Sequence, residues 1–391
     1  MLTRTIGDDF RVMPYNLRIL AIFGLEGNRS KQYRLVIFLV LVVLFLFIPK
    51  PLRITERYSF ELIVRSLSEI IFTALFSLTA IIVASKSETY RELIFLIEKE
   101  LTQFKDQHNE SSKLIVKINT KIHRFSMLYT ILHINYSILY NVVPTIYNIF
   151  KYFTKPKENL SNAFVIPLII DFYGMDIEHN ILHYAIFWIT LTPLFLVVTA
   201  MLWFKGTLFI LIRYNTLLYQ LVIQQLQQHD KEAAGMQLSQ KHQRLQDIVQ
   251  LHCSAIKCTK LLNVILGLIL LIQFVGCLLV FCLMMFYISR NKDMSIANLG
   301  VLFTSVFTEI MFYSYLGGQL TDKNSAISET AFGCRWYDEP IAIQRYYLRI
   351  IQQSQRNAAI TIGKFNVVNI ETFTQLVKAS CTYFMVMKEL F

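Results

Sequence analysis

LVIFLVLVVLFLFI (35–48) places fourteen apolar residues in a row with no charge and no helix breaker. A helix that is apolar all round needs an apolar surround, and inside a bilayer a helix satisfies its own backbone hydrogen bonds. Extended back to Tyr33, the run approaches the ~20 residues that cross roughly 30 Å of hydrocarbon. Moving outward along the chain, comparable segments occur at 61–84, 125–147, 184–212, 261–288, 299–320 and 365–388. The expected fold is therefore an all-α membrane protein with seven transmembrane helices, the first the purest and the seventh the most polar.

Composition agrees. Of 391 residues 54% are hydrophobic and 17% are charged, whereas soluble domains carry about 25% charge. The net charge of +11 does not point to nucleic acid, because the basic residues are scattered between apolar segments and not gathered on one face. The opening MLTRTIGDDFRVM (1–13) lacks a signal peptide's apolar core, so the first span is expected to act as the targeting signal, in a multi-pass plasma-membrane protein.

Lys and Arg in alternate connections set the orientation, since basic loops resist translocation. Six precede the first span (Arg4, Arg11, Arg18, Arg29, Lys31 and Arg34), and the second-to-third, fourth-to-fifth and sixth-to-seventh connections make 26 on that side, against 9 on the other. The N-terminus is expected in the cytoplasm and the C-terminus outside. A G-protein-coupled receptor has the opposite orientation, and the chain also lacks DRY after the third span and NPxxY in the seventh. Asn159, in the sequon Asn159-Leu-Ser161, is the glycosylation candidate in an outer loop; Asn28 and Asn109 should face the cytosol. The six cysteines fall in no outer loop, so no structural disulfide is expected.

Two cytoplasmic connections continue the helical pattern of their spans. Leu245, Ile248, Leu251 and Ile256 form an apolar stripe. It is either the face of a helix extended into the cytosol or, as we favour, part of an anchor between subunits. Groups for catalysis are thin. His179 and His183 share a helical face, but the Glu of a zinc-protease motif is missing, so a polar cap is the expected role. The chain has no P-loop, GxGxxG or GxSxG elbow, and no enzyme activity, cofactor or metal is expected.

The seventh segment, FNVVNIETFTQLVKASCTYFMVMKELF (365–391), is too polar to face lipid all round. Thr372, Gln375, Ala379, Thr382, Val386 and Glu389 fall on one helical stripe. Small, hydroxyl and amide groups narrowed by one apolar residue suit a wetted pore with a hydrophobic constriction. A helix packed in the bundle, its hydroxyls bonded back to the backbone, fits the same composition.

The last seventy or so residues resemble the C-terminal signature of the insect odorant receptor family. The landmarks are Gly-Gln-Leu around Gly318, Trp336-Tyr337 followed by Pro340, Gln353-Ser354-Gln355, Gly363-Lys364-Phe365 and Thr382-Tyr383-Phe384. The resemblance implies a heterotetrameric, ligand-gated, non-selective cation channel in a sensory-neuron dendrite, needing no G protein. Its seventh span would line the pore, with Val386 at the narrow ring and Glu389 and Leu390 just outside it. Lys388 and Glu389 depart from the shared co-receptor, which has an apolar residue and a glutamine there. The chain also lacks the co-receptor's long insertion between the fourth and fifth spans, which implies an odorant-tuning subunit partnered with that co-receptor. A gustatory receptor channel of the same superfamily is the alternative. The implied organisation is one seven-span domain over 1–391: a cytoplasmic arm at 1–32, six spans with an outer ligand pocket at 33–320, a cytoplasmic anchor at 321–364 and the pore-lining span at 365–391.

The resemblance also places the volatile ligand in the outer half of the bundle, between the second to sixth spans. Candidates there are Phe72, Leu75 and Phe76 on the second span; Ser137, Tyr140, Asn141 and Pro144 on the third; Tyr184, Trp188 and Thr192 on the fourth; Phe281 on the fifth; and Phe303 and Phe307 on the sixth. Aromatics at helical spacing also serve as plain packing. Tyr140, Trp188 and Phe303 are the first choices, because together they could wrap a small ring. Arg65 and Glu69, four apart, read as a simple helix pair.

Overall fold

The computed structural model describes residues 33–52, 59–104, 110–154, 164–291, 295–356 and 358–390. The sequons at Asn28, Asn109 and Asn159 and the arm at 1–32 lie outside the described residues. Helix α1 (Tyr33–Val42) runs on into a π-helical turn, Val43–Phe47. Leu35, Phe38, Val42 and Leu46 are buried, while Val36, Ile37, Val40 and Val43 are exposed. An apolar face left open in this way fits a lipid surround and not water.

Helices α2 (Phe60–Ser85) and α3 (Ser87–Thr102) follow, then four long ones: α4 (Glu110–Thr154), α5 (Ile181–Glu232), α6 (Leu238–Arg290) and α7 (Ser295–Gly333). The 53 residues of α6 make a rod about 80 Å long at 1.5 Å per residue, more than twice the ~30 Å hydrocarbon thickness. Such helices must leave the bilayer and continue in water. Helix α8 (Ile341–Ser354), the hairpin β1 (Thr361–Ile362) and β2 (Asn366–Val367), and α9 (Ile370–Leu390) complete the chain. Each of the seven predicted spans falls largely in a helix. Four stretches are apolar and long enough to cross a membrane by composition, Phe60–Ser85, Phe204–Gly235, Leu238–Arg290 and Ile296–Gly333, while Tyr33–Phe47 and Ile181–Phe195 are apolar but shorter.

Inside the bundle α2 lies along α6, α5 packs on α4, α6 and α7, and α9 rests on α6 and α7. Two sequence expectations change. Leu245, Ile248, Leu251 and Ile256 are buried within this same chain, where the extension of α6 packs against α3, α5 and α8. The apolar stripe outside lipid does have a partner, but it is its own chain and not another subunit. The helix of the seventh span begins at Ile370, not at 365, because Gly363 and Lys364 both adopt positive φ (54° and 70°) and turn the chain into the hairpin.

That hairpin is bound to α6. Asn263 donates to the Ala359 carbonyl at 2.7 Å and accepts from the Thr361 N–H at 2.9 Å, and the Gly363 N–H reaches the Gly267 carbonyl at 3.0 Å. On the other side Gly317 of α7 approaches so closely that a Cβ would lie 2.5 Å from the Val368 carbonyl oxygen. Helix preference alone favours Ala over Gly by about 1 kcal/mol. Gly317→Ala is nonetheless expected to destabilise by about 1–3 kcal/mol, because backbone has to move. A lower unfolding temperature of the purified chain checks this; an unchanged or higher one refutes the close approach.

Candidate functional site

The segment 164–180 between α4 and α5 folds back onto the bundle and is fixed there by polar contacts. Asn148 of α4 clamps its start, donating to the Val165 carbonyl at 2.7 Å and accepting from the Val165 N–H at 2.9 Å. Arg65 and Tyr140 both donate to the Pro167 carbonyl at 3.0 Å. The Ile169 N–H donates to Glu69 Oε2 at 3.1 Å. Glu69 also pairs with Arg65 (3.2 Å) and with Lys50, and all three side chains are buried. Two cations therefore share one carboxylate beneath the segment.

Below Leu168 of this segment lies a cavity of about 80 Å³. Phe72 and Phe76 of α2, Tyr136 and Tyr140 of α4, Phe195 and Val198 of α5, and Leu302 of α7 make its wall apolar and aromatic. Lys50, Glu69, Ser137, Asn141, Thr199 and Ser305 supply the polar groups. The side-chain amide oxygen of Asn141, Oδ1, is buried without a hydrogen-bond partner. An apolar cavity with a few polar groups is the usual form of a small-molecule site.

Five of the sequence candidates, Phe72, Phe76, Ser137, Tyr140 and Asn141, are brought together here. The others are placed elsewhere. Leu75 packs over Gly276 of α6. Pro144 is buried within α4. Tyr184 stacks on Phe164 and accepts from Asn148 at 2.9 Å, and Trp188 packs on Tyr184 and Phe187. Thr192 is exposed, its hydroxyl bonded back to the Trp188 carbonyl. Phe281, Phe303 and Phe307 form a separate aromatic cluster, with Phe281–Phe303 centroids 4.7 Å apart, and Phe307 meets Phe373 of α9 at 5.1 Å. The cavity thus draws on the first span and the 164–180 segment, which sequence reading left out, while the fifth span contributes none of its described residues.

On α9, Gln375, Thr382, Val386, Glu389 and Leu390 are exposed in the single chain, whereas Leu376 and Ser380 face inward and are buried. The Thr382 hydroxyl bonds back to the Lys378 carbonyl at 3.1 Å, so back-bonding and an open stripe coexist. Thr372 is half-buried, its hydroxyl engaged with the Val367 carbonyl and Asn369 Oδ1 at the helix start. His179 and His183 do not converge on a metal site: His179 bonds Asp176 at 3.0 Å, which holds the Asp176 carboxyl below its ordinary value, and His183 lies in the first turn of α5.

A family model described as 7tm Odorant receptor matches residues 59–381. The chain belongs to the odorant receptor family. Similar proteins include the odorant receptor coreceptor of Ooceraea biroi, 29% identical over 90 residues, which is 23% of this chain and 18% of that protein. The putative odorant receptor 92a of Drosophila melanogaster is 24% identical over 144 residues, 37% of this chain and 35% of that one. These alignments reach well under half of either relative's length. The fold is that of the insect olfactory receptor OR5 from Machilis hrabei in complex with eugenol, with a TM-score of 0.77 at 11% identity over 98% of this chain and 100% of that one.

Within this receptor, sequence reading passed over a second buried ion pair. Lys205 of α5 and Glu309 of α7 meet at 2.8 Å and are almost wholly buried. The signal was available, since opposite charges inside two predicted spans call for each other. Lys50 was less visible, because it sits just past an apolar run and reads as a loop charge. The bond from Tyr140 to the Pro167 carbonyl gives a direct check on the cavity roof. Tyr140→Phe removes one hydrogen bond worth about 1 kcal/mol and is expected to raise the half-maximal ligand concentration about fivefold at normal surface expression. Identical dose responses would detach Tyr140 from ligand sensing.

Proposed function

We propose that this receptor is the volatile-ligand-binding subunit of a ligand-gated, non-selective cation channel assembled with the odorant receptor co-receptor. The roofed cavity lies beside α7, and the aromatic cluster on α6 and α7 touches Phe373 of α9, the helix whose polar stripe stands open.

Ligand binding in the cavity pushes on α7, and the aromatic contact passes the displacement to α9. Four such helices around an axis place Val386 at the constriction and Glu389 near the mouth. The ligand opens the channel only by preferring the open arrangement. At about 80 Å³ the closed cavity is smaller than the ~150 Å³ that accepts benzene, so a ring-sized ligand itself requires the wall to move. That a receptor of this fold binds eugenol supports a small organic ligand.

With the N-terminus cytoplasmic, the extensions of α4 to α7 with α3 and α8 form the inner anchor, in a plasma membrane. Phe332, Tyr337, Ile341 and Leu348 are exposed there and suit contact with neighbouring subunits. The test is expression of this chain with and without the co-receptor: odorant-evoked current only in the pair supports the reading, and full current from the chain alone assigns it to a self-sufficient channel.

A further inference from the structure

A cleft of about 390 Å³, remote from the ligand cavity, is lined by Lys117 and Lys121 of α4, Arg213 of α5 and Lys323 of α7. Among the described residues no carboxylate lines it, and none of the four cations forms a salt bridge. Lys117 and Lys121 lie one helical turn apart, and Arg213, Gln220, Gln224 and Gln227 fall on one stripe of α5. Arg213 is aimed by its hydrogen bond to Gln319. Gln224 Oε1 is buried without a partner. Leu114, Ile118 and Ile223 form an apolar side.

Depth decides what such a cleft would take. The apolar spans expected from the sequence end at 125, 212 and 320, which puts Lys121, Arg213 and Lys323 within four residues of those ends. Four like charges repel one another unless an anion joins them. A basic pocket between helices at the cytoplasmic boundary is the setting in which phosphorylated lipid headgroups bind, and its volume lies in the range of ligand sites. We infer that this cleft binds the polyphosphorylated headgroup of an anionic membrane lipid, the cations on the phosphates, the glutamine amides on sugar hydroxyls and the apolar side against the start of the acyl chains. The cytoplasmic leaflet follows from the proposed orientation; binding itself does not depend on it.

The full-length chain in detergent, titrated with a short-chain phosphatidylinositol bisphosphate, tests this apart from orientation and from odorant gating. Saturable binding is expected, with no binding of short-chain phosphatidylcholine and much weaker binding of inositol trisphosphate, which lacks the chains. The double variant Lys117→Gln, Lys121→Gln is expected to bind about 30-fold more weakly, and Lys323→Gln, on another helix, about fivefold. Lys121→Arg keeps the charge and is expected to bind as wild type, and unfolding temperature confirms that each variant is folded. Equal binding by folded Lys→Gln variants, or by phosphatidylcholine, overturns the site. Inositol trisphosphate binding as tightly as the lipid overturns the lipid assignment in favour of a soluble phosphate ligand.

Discussion

Glu69→Ala is expected to leave little receptor at the cell surface. Glu69 is the shared carboxylate of Lys50 and Arg65, and it also accepts from the Ile169 N–H of the 164–180 segment. Its removal leaves two buried cations without a counter-charge. Breaking a buried pair in this way costs about 3–5 kcal/mol, a large share of the roughly 5–15 kcal/mol that holds a folded protein together. Lys50→Met is the informative contrast, because it turns a triad of net charge +1 into the neutral pair Arg65–Glu69. That variant is expected near wild-type abundance, with altered ligand preference, since Lys50 lines the cavity. Surface biotinylation reads both; Glu69→Ala at wild-type level would contradict a load shared by one carboxylate.

Glu309→Ala is expected to be similarly damaging for a different helix pair. It strands Lys205, whose side chain is almost wholly buried between α5 and α7, again at about 3–5 kcal/mol. Pairing it with Lys205→Met removes both charges and should restore much of the lost surface receptor, because a well-packed apolar pair avoids the desolvation of two ions. The four-variant cycle isolates the coupling between the two positions. Additive losses in the double variant would show that the two charges act independently.

The sequence made the spans readable because a bilayer demands apolar residues on every exposed side, as on α1, where even the exposed face is Val36, Ile37 and Val40. The position of α9 was also readable, but not its start, since the turn at Gly363 and Lys364 depends on docking to α6. The cavity was readable only in part. Helical spacing shows that Leu75 and Phe76 are apolar and adjacent, yet it does not say that Phe76 faces the cavity and Leu75 faces Gly276. Phe303 and Phe307 read as pocket candidates on the sixth span, yet they pack with each other, and Phe307 meets Phe373 on a helix far away in sequence. Lys50 reads as a loop charge just past an apolar run, and only the fold brings it to Glu69 on α2.

In the proposed function, ligand in the cavity beneath the 164–180 segment opens a pore to which this chain contributes. Excised membrane patches from cells carrying this receptor and the co-receptor, bathed without GTP, test it most directly. An odorant-evoked cation current is expected to persist in such patches and to change in conductance or ion preference with Val386→Ala in this chain. A current that appears only when GTP is supplied, with permeation unchanged by Val386→Ala, would contradict it.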